Sequence, residues 1–137
     1  MIRNIVKDEM FLSKISTDMT KDDLYIVDEL INTLKFNFNR CVGMAANMIG
    51  YLKKCIVFVD EFKEIQYMIN PSIIKYDGEY TTKESCLSLT GERQCKRFKK
   101  IKVEYYNKNF QKRIKTYEGF TAQIIQHEID HFKGKLI

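Results

Sequence analysis

Apolar positions change their period twice along this chain. Leu24, Val27, Ile31 and Leu34 recur at helical spacing behind Thr20-Lys21-Asp22-Asp23, which supplies an N-cap and an acidic first turn. The spacing predicts a first long helix ending near Lys35. From Tyr51 onward the pattern becomes strand-like. Tyr51 to Asp60, Ile65 to Ile69, Ile73 to Thr82, Lys99 to Tyr106 and Gln111 to Tyr117 are rich in β-branched and aromatic residues. Turns are predicted at Asp77-Gly78 and at Asn107-Lys108-Asn109. Behind Gly119 a helical pattern returns with Thr121, Ile124, Ile125, Glu128 and His131, and it stops near Gly134. The expectation is an α+β fold: mostly antiparallel strands packed around a C-terminal helix, with an N-terminal helix, in one small domain spanning residues 1–137.

Composition narrows the class. A chain of 137 residues with 45% hydrophobic content is enough for one core. Repeats, low-complexity tracts and linkers are not evident. Arg3, Lys7, Asp8 and Glu9 interrupt any apolar run at the N-terminus, and no segment approaches membrane-spanning length, so a cytoplasmic protein with no membrane contact is expected. A monomer is expected. Four cysteines without a secretory signal favour reduced thiols. The abundance of Lys, Ile and Asn points to a bacterium with an AT-rich genome.

The last dozen residues carry the chemistry. Gln126-His127-Glu128-Ile129-Asp130-His131 contains the only two histidines of the chain. On a helix, positions i and i+4 share a face, so His127 and His131 can address one metal ion while Glu128 reaches a water beside it. A catalytic centre of this type usually takes three side chains and leaves a position open. Only six residues follow His131, and none is His, Cys, Asp or Glu, so a third ligand must come from upstream.

The cysteines are the candidates. Cys55 opens the apolar run Cys55-Ile56-Val57-Phe58-Val59, a buried strand in which a free thiol acts as a small hydrophobe. Cys41 precedes the small-residue stretch Val42-Gly43-Met44-Ala45-Ala46, and Cys95 lies among Arg93, Lys96 and Arg97. Cys86 sits in the polar break Glu84-Ser85-Cys86-Leu87-Ser88, between a strand-like segment and the region of Gly91, where a thiol can project from a turn or bulge. Residue by residue, Cys86 leads by a small margin.

Three motifs then stand in a familiar order. Cys41-Val42-Gly43-Met44-Ala45-Ala46-Asn47-Met48, Glu84-Ser85-Cys86-Leu87-Ser88 and Gln126-His127-Glu128-Ile129-Asp130-His131 resemble the G-φ-G-φ-A-A-x-Q, E-G-C-L-S and Q-H-E-x-D-H motifs of the peptide deformylase family, where φ is apolar. The likeness takes in Met68-Ile69-Asn70-Pro71 and the tail Phe132-Lys133-Gly134-Lys135-Leu136, and so spans most of the chain.

The resemblance implies a metal-dependent hydrolase that removes the N-formyl group from N-formylmethionyl nascent peptides. It makes Cys86, His127 and His131 the metal ligands and Glu128 the general base. It assigns the oxyanion contact to the backbone N–H of Leu87 and the substrate backbone to Val42, Gly43 and Ser85. The methionine side chain is expected in an apolar pocket near Val42, Phe120, Ile124 and His127, with Gln126 and Asp130 orienting the ligands. Thiolate and imidazole suit Fe(II), Zn(II), Ni(II) and Co(II) alike. Family usage implies Fe(II) in the cell.

Several positions depart from the family pattern. Its glutamine is Met48 here, its leading glycine is Cys41, and the glycine before the metal cysteine is Ser85. The proline usual after the second motif is Thr90, and the arginine usual before the third is Gln123. A thioether has no hydrogen to donate, so Met48 implies a slow deformylase. Two alternatives follow from the altered lining: a low-turnover, metal-containing protein that binds formyl peptides or the ribosome, and a deacylase with another acyl substrate.

Net charge is +5, and Arg93, Lys96, Arg97, Lys99, Lys100 and Lys102 crowd one stretch. The simpler expectation is the solvated side of a hairpin. The resemblance adds a ribosomal RNA contact through Arg93–Lys102 as a candidate function.

Overall fold

Cys55–Val59 is buried at every position, and this one short strand organises the molecule. In the computed structural model, which describes residues 1–137, five strands form a single antiparallel sheet in chain order. They are β1 (Gly43–Ala45), β2 (Cys55–Val59), β3 (Ile65–Cys86), β4 (Leu89–Tyr106) and β5 (Lys112–Glu118). Helices α1 (Glu9–Leu12) and α2 (Tyr25–Phe36) precede the sheet, and α3 (Gly119–Asp130) follows it.

Side chains alternate across a strand, so β2 feeds two cores at once. Cys55, Val57 and Val59 pack with Ile26, Val27, Leu30 and Leu34 of α2, while Ile56 and Phe58 pack with Ala122, Ile125 and Ile129 of α3. A helix on each face explains why β2 reads as a continuous apolar run. The fold is a small α+β domain with an antiparallel sheet, as the periodicity predicts. No helix is long and apolar enough to cross a membrane.

Boundaries differ from the sequence expectation in ways that matter for the site. Asp77-Gly78 is no turn: β3 runs through it to Cys86, with Gly78 at φ 77° as a local kink against Lys99. The predicted strands at Ile65 to Ile69 and Ile73 to Thr82 are therefore one strand. Pro71, which has no N–H for the ladder, is accommodated by a register shift between Ile69 and Ser72, with Asn70 at φ 50°. The reversal falls instead at Leu87-Ser88, and β4 begins at Leu89 rather than near Lys99.

The first part of the predicted strand at Tyr51 to Asp60 is irregular: only Cys55–Val59 joins the sheet, and Lys53 makes an isolated bridge to Thr17. The first long helix opens as a 3-10 turn at Lys21–Asp23, capped reciprocally by Thr20 and Asp23, before α2 begins. The short strand β1 lies in the small-residue stretch behind Cys41. It is the sheet's edge, paired with β2 through Gly43 opposite Phe58.

Candidate metal centre and active site

Helix α3 packs its apolar face into the sheet and thereby buries the end that carries the polar residues. His127 and Glu128 lie in its last turn, and His131 continues the same right-handed path into a 3-10 turn, at φ −61° and ψ −27°. One face therefore holds both imidazoles, whose ring centroids are 5.0 Å apart.

Across from them, β3 ends at Cys86 just beyond a register irregularity between Glu84 and Cys86. This bulge re-aims the thiol toward the helix. Cys86 Sγ lies 3.6 Å from His131 Nε2, and one donor atom from each of Cys86, His127 and His131 falls within 4.8 Å of the others. Zinc-type bond lengths in a tetrahedron require a sulfur-to-nitrogen separation of about 3.6 Å. The chemistry of the donor set suits a thiolate- and imidazole-bound divalent cation, and the Cys86–His131 separation already matches one.

The two imidazoles titrate in opposite directions. Burial disfavours the His127 imidazolium, but hydrogen bonds to Cys86 and Glu84 and the nearby Glu128 carboxylate outweigh it and raise the pKa to about 10. Burial, with repulsion from His127 and Arg97, drops His131 to about 3, which keeps that imidazole neutral. Burial also pushes the Glu128 carboxyl up to about 7 against the pull of His127. Glu128 Oε1 is buried, has no hydrogen-bond partner, and lies 3.7 Å from His131 Nε2. Such an orphaned acceptor beside three donor atoms suits a water-activating base.

A cavity of about 460 Å³ opens above these groups. Cys41, Val42 and Gly43 line one side, Ser85, Cys86 and Leu87 the other, and Phe120, Ile124, His127 and Glu128 come from α3. Every substrate-side residue expected from the sequence borders this one space. Met48 lies in its wall, almost fully buried, and Asn47 does not stand in for the absent glutamine. The Asn47 amide nitrogen is turned toward the His131 carbonyl at 3.3 Å.

The residue that sequence reasoning left without a role is Glu84. Its Oε1 accepts from His127 Nδ1 at 2.7 Å and from Arg97 Nη2 at 2.7 Å. Its Oε2 accepts from Arg97 Nε and from Gln123 Nε2, both at 2.9 Å. All four carboxylate acceptor sites are filled. Burial opposes ionisation, but His127 and Arg97 hold the Glu84 carboxyl at about 2. Because Nδ1 of His127 is tied to Glu84, Nε2 is the nitrogen left to face a metal.

Two expectations are corrected here. Gln126 does not orient a ligand: its amide binds the Phe98 N–H and carbonyl and the Ala122 carbonyl, fastening α3 to β4. Arg97 does not belong to an exposed basic stretch, being 3% exposed and bridging Glu84 to Asp130 Oδ2 at 2.8 Å. Asp130 therefore acts on the site only through Arg97 and Glu84. Position in a run of cations hid Arg97, and nothing in one sequence marks which basic residue turns inward.

A buried histidine pair with an adjacent carboxylate and an upstream thiol, set in a cleft, is the arrangement of a metallohydrolase. Comparison with known proteins gives the family. The family model described as polypeptide deformylase matches residues 2–137. A peptide deformylase of Clostridium beijerinckii is 51% identical over 137 residues, covering the whole of both chains. Peptide deformylase 2 of Clostridium acetobutylicum is 38% identical over 112 residues, covering 81% of this chain and 73% of that one. The crystal structure of a peptide deformylase from Legionella pneumophila superposes with a TM-score of 0.87 at 32% identity, covering 99% of this chain and 83% of that one. The chain belongs to the peptide deformylase family, metal-dependent hydrolases that remove the formyl group from nascent peptides.

Proposed function

We propose that this chain deformylates N-formylmethionyl peptides in the cytoplasm as a monomer, with Cys86 Sγ, His127 Nε2 and His131 Nε2 holding Fe(II). One observation carries the reading: the three donor atoms lie within 4.8 Å of one another beside the unpartnered Glu128 carboxylate at the cavity floor. When bound, the ion supplies an acidified water and a positive charge next to the formyl oxygen. Thiolate with two imidazoles also accepts Zn(II), Ni(II) or Co(II), and the preference for iron rests on the family resemblance.

The protein groups divide the remaining work. Glu128 takes the proton of the attacking water and returns it to the leaving amine, so that water and formamide become formate and a free N-terminus. The Leu87 N–H donates to the oxyanion formed on the way. Val42, Gly43 and Ser85 hold the peptide backbone, and the methionine side chain fills the cavity beside Phe120 and Ile124. Met48 offers no amide hydrogen, which predicts slow turnover. Exposed Lys96, Lys99, Lys100 and Lys102 on β4 supply the charge for a ribosomal RNA contact, with Arg97 excluded from it.

The same buried thioether favours a second reading, in which the site binds formyl peptides with little turnover or takes another acyl group. Metal analysis separates the ligand assignment from both. Cys86→Ser is expected to lose most of its metal, whereas Cys55→Ser, buried between β2 and α2, loses stability and keeps its metal. Equal metal content in Cys86→Ser and the parent contradicts the assignment.

A further inference from the structure

Gln123 stands where two otherwise separate parts of the molecule meet. Its side chain lines the cavity, one turn before His127 on α3. Its Nε2 donates to Glu84 Oε2 at 2.9 Å, and its Oε1 accepts from the Tyr80 hydroxyl at 3.4 Å. The orientation of the amide is thus set by an acceptor on one side and a donor on the other. Glu84 in turn receives His127 Nδ1 on its other oxygen.

The saturation of Glu84 gives this contact its weight. A buried carboxylate site left without a donor is costly, and the group relieves that cost by moving toward whatever donors remain. Arg97 takes one site on each oxygen, His127 takes the second site on Oε1, and Gln123 takes the second site on Oε2. Without the Gln123 donor, Oε2 keeps a single partner in a pocket where Glu84 is buried. The two-point contact with Arg97 keeps the plane of the carboxylate, but within that plane the group can shift toward its remaining donors, and the ring that it holds by Nδ1 shifts with it.

We propose that Gln123 is a positioning residue for His127, acting through Glu84, so that the wall of the substrate cavity and the orientation of a metal imidazole are set by the same amide. The inference rests on the reading that His127 is a metal ligand. It assigns to Gln123 a donor role, and shape alone does not satisfy it. Gln123→Glu keeps the size but sets a second carboxylate against Glu84. Gln123→Arg changes the size but keeps a donor at the same oxygen, while Gln123→Leu removes the donor without adding charge.

The test is competition of the zinc-loaded protein against a chromophoric chelator at pH 8, with Cys86→Ser as reference. Gln123→Glu is expected to bind zinc at least about tenfold more weakly than the parent, the usual scale for losing a group that orients a ligand. Gln123→Leu is expected to fall between Gln123→Glu and the parent, and Gln123→Arg to stay close to the parent. A residue that only fills space gives the opposite order, with the isosteric Gln123→Glu tolerated and the larger Gln123→Arg impaired. Should Gln123→Glu fail to fold, Gln123→Leu with parental affinity overturns the proposal. Parental affinity in Gln123→Glu, or equal losses in Gln123→Glu and Gln123→Arg, also overturns it. Parental affinity in Cys86→Ser overturns the metal site itself, a result distinct from failure at Gln123.

Discussion

Gly43 lies directly beneath Glu128: a Cβ at residue 43 would stand 2.9 Å from Glu128 Oε2 and 2.7 Å from Ile124 Cγ2. The edge strand and the base are therefore in van der Waals contact only because residue 43 has no side chain. Gly43→Ala must push the side chains of both Ile124 and Glu128 aside. Displacing a positioned base by about an ångström costs on the order of a hundredfold in turnover. The expected result is that loss in kcat with metal content unchanged, measured by formate release and metal analysis on one preparation.

Glu128→Gln separates proton transfer from metal binding. The amide keeps the volume of the carboxylate and is expected to retain the ion while turnover falls at least about a hundredfold. Stability moves the other way in the chelated protein. Burial raises the folded-state pKa of Glu128 to about 7, above its unfolded value, so ionising it costs stability as pH rises from about 4.5 through 7. Chemical denaturation at pH 8 should find Glu128→Gln more stable than the parent, and the advantage should vanish at pH 4.

Glu84 has the opposite sign. Its folded-state pKa of about 2 lies below the unfolded value, so its contribution is complete above about pH 4.5 and is lost as pH falls toward 2. Glu84→Gln leaves Arg97 buried with only Asp130 as a carboxylate partner, which is expected to cost about 3–5 kcal/mol at pH 7. Its stability should also fall less steeply than the parent's between pH 4.5 and pH 2. Denaturant titrations across that range check both the offset and the slope.

How much of this is legible in the sequence depends on whether a feature is local. Helix α3 and its histidine pair are readable because the spacing of four itself places both rings on one face. Strand β2 is readable because burial on both sides leaves an unbroken apolar run. The hairpin of β3 and β4 is not, because Gly78 looks like a turn residue and serves as a kink inside a long strand, while the true reversal at Leu87-Ser88 carries no glycine or proline. Arg97, Glu84 and Gln123 form their network only after β3, β4 and α3 have packed. Their roles depend on contacts between residues 13 to 39 positions apart, which no single-segment pattern encodes.

Met48→Gln tests the chief departure from the family pattern. Met48 borders the cavity from a fully buried position, and its carbonyl accepts from the Val6 N–H at 2.7 Å, so the backbone there is anchored. A glutamine placed on that backbone presents an amide donor to the cavity. Restoring one oxyanion donor is expected to raise turnover on a formyl-methionyl peptide by up to about a hundredfold without altering metal content. Unchanged or lower turnover in the folded, metal-loaded variant would show that another group already serves the oxyanion, or that the pocket is built for a different acyl group.

Formate release from an N-formylmethionyl tripeptide by the iron-loaded parent protein, followed under anaerobic conditions, decides whether this site is a metal-dependent deformylase. Many equivalents of formate per protein are expected, ceasing when a chelator removes the metal and resuming when iron is returned. At most one equivalent of formate from protein with a full complement of metal would contradict it.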